Sequence, residues 1–123
     1  MKVTLADAFD KITDYWSPLV AGDLNGQHVK LAKFKGSFDW HFHENEDELF
    51  LVHRGSFVME FRDRRVEIGE GEFLVVPRGV EHRPVAEREA EVILFEPMGT
   101  LNTGNVVTEK TVTKPNRIDD VPR

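Results

Sequence analysis

Two histidines one residue apart, His41 and His43, are followed at once by Glu44, Asn45, Glu46, Asp47 and Glu48. Apolar residues begin again at Leu49 and Phe50. Imidazoles and carboxylates at the edge of an apolar strand are costly unless they are paired or bind a metal. On a strand, residues i and i+2 share a face and lie roughly 7 Å apart along the backbone, so His41 and His43 can converge on one point if the strand curves. Glu48 is five residues further on, and His82 follows a Pro77-Arg78-Gly79 turn downstream. Three imidazoles and one carboxylate make a first shell for a divalent transition metal. An isolated His-x-His pair carries little information; the joint set is far more specific. The competing reading is a pocket that keeps these side chains with no metal, which leaves their burial unoffset.

The other chemistry-bearing residues have plainer readings. Glu44, Glu46 and Asp47 read as a solvated loop. His53 lies an odd number of residues from Glu48 on one strand and should point the other way. By the same parity Trp40 falls opposite His41. His28 reads as a surface or packed strand residue, and Tyr15 as packing. The basic stretch Phe61-Arg62-Asp63-Arg64-Arg65 reads as a solvated turn.

The elements that must position these groups are short. The chain has 123 residues, enough for one domain with its own core. Leu5, Phe9, Ile12 and Trp16 recur at helical spacing, with Thr4 and Asp7 as a weak capping pair and Pro18 as the stop. A helical segment over residues 1–17 is therefore predicted. Asn25-Gly26 between apolar runs signals a hairpin. Strands flank Gly55, Phe57, Met59 and Phe61 alternate with polar or smaller residues, Gly69 and Gly71 mark a turn, and residues 90–97 read as one more strand. Many short strands with no helix between them predict an all-β sandwich or barrel over residues 18–104. Residues 105–123 read as an extended or partly disordered tail.

Composition narrows the function classes. There are no cysteines, which excludes disulfides, thiolate metal sites and cysteine nucleophiles. A net charge of −6, from 16 basic and 22 acidic residues, argues against nucleic-acid binding. No apolar run reaches the length of a membrane span, and the N-terminus lacks a secretory apolar stretch, so a cytoplasmic protein with no membrane partner is expected.

The sequence resembles the cupin superfamily. Gly36, His41, His43, Glu48 and Gly55 follow the first cupin motif, G-x5-H-x-H-x3,4-E-x6-G, with four residues instead of five between Gly36 and His41. Gly71, Pro77, Gly79 and His82 follow the second, G-x5-P-x-G-x2-H-x3-N, with Ala86 at the final Asn position. The resemblance covers about residues 29 to 96. It implies a small jelly-roll barrel, so the expected fold is an all-β, single-domain jelly-roll barrel carrying the short N-terminal helix read from the spacing above. It also implies one divalent metal per chain (Fe, Mn, Ni, Co, Cu or Zn) on His41, His43, Glu48 and His82. Four ligands on a six-coordinate ion leave two positions for a small-molecule ligand. Phe34, Phe50 and Val52 are expected to line that pocket, the last two sharing parity with Glu48. Two functions stay open: a metal-dependent enzyme of dioxygenase, isomerase or lyase type acting on a small oxygen-rich metabolite, and a non-catalytic binding module. A homodimer is expected, using the N-terminal stripe and the strand Leu19–Leu24 as contact surfaces.

Overall fold

The computed structural model describes residues 2–120. They form a jelly-roll barrel with one short helix, α1 (Leu5–Asp10), packed outside it. Eight strands follow in chain order: β1 (Leu19–Leu24), β2 (Gln27–Ser37), β3 (Glu48–Arg54), β4 (Ser56–Glu60), β5 (Arg65–Gly69), β6 (Phe73–Val76), β7 (Arg83–Pro97) and β8 (Asn116–Arg117). The Asn25-Gly26 hairpin forms as predicted. Both residues have positive φ, 48° and 77°, the signature of a type I′ turn.

β7 organises the barrel. It runs antiparallel to β2 from Gln27↔Pro97 to Ser37↔Val85. Its other edge is shared, with β4 on its first part and β3 on its second. The strand is longer than residues 90–97, because it begins at Arg83 directly after the ligand candidate His82. Along it Pro84, Ala86, Ala90, Val92, Leu94 and Glu96 are buried in strict alternation around an exposed Glu87–Glu89 stretch. Apolar residues from β2, β3 and β4 meet them to form the inner core, including Phe34, Phe50, Val52, Phe57 and Met59. Ala86, at the motif's Asn position, is fully buried in this core and pairs with Gly36, so no polar group is placed there.

A second apolar cluster lies outside the sheet. Ala8, Phe9 and Ile12 cover Leu19 and Leu31, with Ile93 at the margin. The helix ends at Asp10 and does not extend to residue 17. Thr4 sits at the N-cap position without a side-chain hydrogen bond, so the Thr4–Asp7 pair adds no cap. Trp16 leaves the helical stripe altogether. Its N–H bonds the Lys33 carbonyl at 2.9 Å, its φ is 60°, and its indole turns into the barrel to stack on Phe34. Tertiary packing of one large aromatic has outweighed a weak helical period.

The tail is folded over most of its length. Residues 105–113 are held by side-chain bonds, among them Asn102 Nδ2 to the Lys110 carbonyl and Thr108 Oγ1 to Asp39 Oδ2, both at 2.8 Å. β8 then pairs in parallel with β1. The part of the tail expectation that concerns residues 121–123 lies outside the described residues. Among the described residues, no helix is long and apolar enough to cross a membrane.

Candidate metal centre

His41, His43, Glu48 and His82 come together inside the barrel, each at most 3 % exposed. One donor atom from each lies within 4.8 Å of all the others. A metal with bonds of about 2.1 Å holds its ligands roughly 3 to 4.2 Å apart, so the cluster has the dimensions of a first shell.

Backbone pairing builds it. His41 and His82 form an isolated antiparallel bridge, N–H to carbonyl in both directions at 3.1 and 2.9 Å. The Gly79 N–H donates to the His43 carbonyl at 2.7 Å, and the Arg78 N–H donates to Asp47 Oδ1 at 2.8 Å. The turn that aims His82 is thus tied to the loop that carries His41, His43 and Glu48. Asp47, expected in a solvated loop, clasps that turn through its ion pair with Arg78.

The imidazoles are oriented. His41 Nδ1 lies 2.8 Å from the Asp39 carbonyl, and His82 Nδ1 lies 2.9 Å from the Val80 carbonyl. A carbonyl only accepts, so the proton is on Nδ1 and the Nε2 lone pair is left to ligate. His43 Nε2 and His82 Nε2 approach Glu48 Oε1 to 2.8 and 3.3 Å. Yet all three atoms are buried without a directed hydrogen bond. Lone pairs aimed at a common point, and not at protons, are what a cation requires. The residues present therefore fit a divalent metal.

Charge follows the same pattern. Burial, reinforced by neighbouring His82, lowers the His41 pKa to about 4. Burial alone would raise the Glu48 carboxyl, but the pull of His43, His82 and Glu96 outweighs it and holds Glu48 well below the usual carboxylate range. A neutral imidazole and an ionised carboxylate are the ligating forms.

The His41 shift has a stability consequence. Between its folded value of about 4 and the ordinary value of 6.5, the metal-free fold binds fewer protons than the unfolded chain. Stability is therefore complete above pH 6.5 and is lost as pH falls toward 4, by an amount on the order of 3 kcal/mol. The urea midpoint of metal-free protein should drop between pH 7 and pH 4.5, with a shallower slope in His41→Gln. Identical slopes for the two proteins would refute this assignment.

A cavity of about 40 Å³ opens beside the cluster, reached by His41 and Glu48 and walled by Trp16, Phe34, Phe38 and Phe50. Phe34 and Phe50 are where the sequence placed them. Val52 shares their face but sits deeper, 1 % exposed in the core, and does not border the cavity. Among the wall residues that no motif marked are Trp16, Asn102 and Glu96. Only Glu96 had a signal, as a charged residue on the inward parity of an apolar strand.

The remaining candidates lie elsewhere. His53 points outward and stacks on Phe9 with ring centroids 5.4 Å apart. Trp40 faces away and carries the Arg62 guanidinium 3.9 Å from its ring. Arg62, Arg64 and Arg65 pair with Glu81, Asp63 and Glu60. Tyr15 is half exposed and donates to Glu89. His28 pairs with Asp23 at 3.2 Å and borders a separate cavity beneath the tail.

Residues 27–96 match the Cupin domain family. That is more than half of the chain. The chain belongs to the cupin family. This cupin is 32 % identical over 85 residues to the uncharacterized protein YdbB of Bacillus subtilis (strain 168), a match covering 60 % of the chain and 75 % of YdbB. Among solved structures, a cupin-2 domain containing protein from Shewanella frigidimarina is 38 % identical with a TM-score of 0.76, over 77 % of this chain and 93 % of that one. A Neisseria meningitidis protein is 31 % identical with a TM-score of 0.73, over 79 % and 99 %. The resemblance drawn from the two motifs is thereby established as membership.

Proposed function

We propose that this cupin is a metal-dependent enzyme acting on a small oxygen-rich metabolite, by a reaction of dioxygenase, isomerase or lyase type. The observation that carries the reading is the convergence of unpaired donors from His43, Glu48 and His82 at full burial, with His41 beside them. One divalent ion per chain, from among Fe, Mn, Ni, Co, Cu and Zn, would supply Lewis-acid or redox chemistry to a chelated oxygen ligand. The chain's own residues would do the rest. His41, His43, Glu48 and His82 hold the ion, and the Phe34 and Phe50 walls exclude water from the bound ligand.

A second reading is a binding module that holds the ligand without turnover. The apolar character of the cavity wall favours it, since Glu96 and Asn102 are the only polar lining groups beyond the ligands among the described residues. The two separate in one experiment. The protein is loaded in turn with iron, manganese, nickel and zinc and offered small hydroxy acids, diketones, catechols and sugar phosphates, with oxygen uptake and product followed. Turnover that disappears in Glu48→Ala supports the enzyme. Tight binding with no product in any metal form leaves the module.

We also propose a homodimer in the cytoplasm. The surfaces first expected to form it are occupied within the chain: α1 lies over the sheet, and β1 pairs with β2 and β8. An uncovered apolar face lies instead around β6, which among the described residues pairs with β3 alone. Phe73 is 63 % and Val75 47 % exposed there, next to half-buried Leu49, Leu51 and Phe95. Such an edge is self-complementary and invites a second copy. Light scattering at micromolar concentration should return twice 14.1 kDa, and Phe73→Glu should return one. A wild-type mass near 14.1 kDa would exclude the dimer.

A further inference from the structure

The cavity beneath the tail shares no wall residue with the one at the metal centre. It lies between β1 and β2 on one side and the folded tail on the other. At about 350 Å³ it is much the larger of the two and falls in the size range of small-molecule sites. Four basic side chains border it, His28, Lys30, Lys114 and Arg117, and among the described residues no carboxylate does. In a chain of net charge −6 this is a local reversal of sign, and a concave wall of one sign concentrates counter-ions. Asp23, outside the wall, positions two of the four: it accepts from Arg117 Nη2 at 2.7 Å and lies 3.2 Å from His28 Nε2. Lys30 is buried at the back, where its Nζ donates to the Thr100 carbonyl at 3.2 Å. Lys114 stands exposed at the mouth. The tail is pinned on both sides of it, by the Val112 N–H donating to Asn102 Oδ1 and by β8 pairing with β1. The cations are thus held in place before any ligand arrives, which lowers the ordering cost of binding one.

We propose that this cavity is a second ligand site, which takes a small organic carboxylate with its charged head at Lys114 and Arg117 and a compact apolar body against Val20, Leu101 and Val112. Charge at the mouth sets the head. Asp23 offsets Arg117, and Lys114 leaves one positive charge to be met by one negative. Arg117 spends Nη2 on Asp23 and keeps other N–H donors of its planar fork, which match a carboxylate. Volume and lining set the body: a bare head would leave most of the space and the apolar wall uncovered. Because no metal-ligand candidate borders this cavity, the site stands or falls apart from the metal reading.

The test uses three probes in titration calorimetry on the full chain: phenylacetate, acetate, which is the head alone, and phenylacetamide, which keeps the body without the charge. Phenylacetate should bind about tenfold or more tighter than acetate, from burial of the ring, and tighter than the amide by a similar factor, from the charged hydrogen bonds. Lys114 is exposed, so Lys114→Met should fold; it should lose about three- to fivefold in phenylacetate affinity and nothing for phenylacetamide. Lys114→Glu, which repels the head, should lose more. Phenylacetate affinity should be the same on metal-free protein and after loading with zinc. No saturation by millimolar phenylacetate would overturn the proposal. So would an amide that binds as well as the acid, or full phenylacetate affinity in Lys114→Glu. Phenylacetate binding that needs zinc, or is lost in His82→Ala, would place the ligand at the metal centre and overturn the second site while leaving the first.

Discussion

His82→Ala is expected to reduce bound metal from about one equivalent per chain to a small fraction, with affinity lower by at least about 100-fold. His82 is fully buried, its Nδ1–H is fixed by the Val80 carbonyl, and its Nε2 has no partner but the cluster. Removing it deletes one of four donors and leaves the other three facing a void. The β fold should survive, because the His41–His82 bridge is made by backbone atoms that alanine retains. The variant is loaded with metal, desalted and analysed for metal content, with circular dichroism as the check on folding. Full metal content in a folded His82→Ala protein would remove His82 from the site.

This centre was legible because its spacing encodes its geometry. The His-x-His step puts two imidazoles on one strand face. The Pro77-Arg78-Gly79 turn reverses the chain just before His82, so that a backbone bridge to His41 can form. Parity along β3 also told true from false: Glu48, Phe50 and Val52 are buried inward, while His53 faces α1. The same arithmetic placed Phe50 at the cavity but not the depth of Val52, which depends on how far β3 continues past the ligands.

What the sequence hid is whatever depends on contacts between distant segments. Glu96 meets Glu48 only through the pairing of β7 with β3, a register that no local pattern states. Lys30 is buried only because β2 lies beside β7 and brings it to Glu96. Trp16 continued a helical period by chance, and its cavity position comes from stacking on Phe34 and a tilted contact with Phe38. The tail reads as polar and loose, yet Thr111 and Thr108 bond Thr103 and Asp39, and Asn102 bonds the Lys110 carbonyl and the Val112 N–H. Polar composition predicts disorder only where no partner is supplied.

That tail makes the second large effect predictable. Asn105 Oδ1 accepts from the Phe42 N–H at 2.8 Å, and the Asn105 N–H donates to the Phe42 carbonyl at 3.1 Å, so the segment grips the backbone between His41 and His43. Gly104 is what allows the approach. Its φ is +55°, and a Cβ there would collide with the Phe42 carbonyl oxygen and come within 3.1 Å of His41 Cδ2. Gly104→Ala therefore meets backbone atoms that cannot rotate away. The segment must lift off, which breaks both Asn105 bonds and frees His41 to move. The expected cost is about 2 to 4 kcal/mol of stability, with weaker metal binding besides. Gly99→Ala is the matched control. Gly99 also has positive φ, +83°, but its added Cβ meets nothing within 4 Å, so only the backbone term of about 1 to 2 kcal/mol applies and metal affinity should hold. Urea denaturation and metal titration of the two variants side by side decide the matter. Equal losses in stability and unchanged metal affinity in both would mean that the tail covers the centre without holding it. A larger loss at Gly104, accompanied by weaker metal binding, would make the tail a structural part of the site.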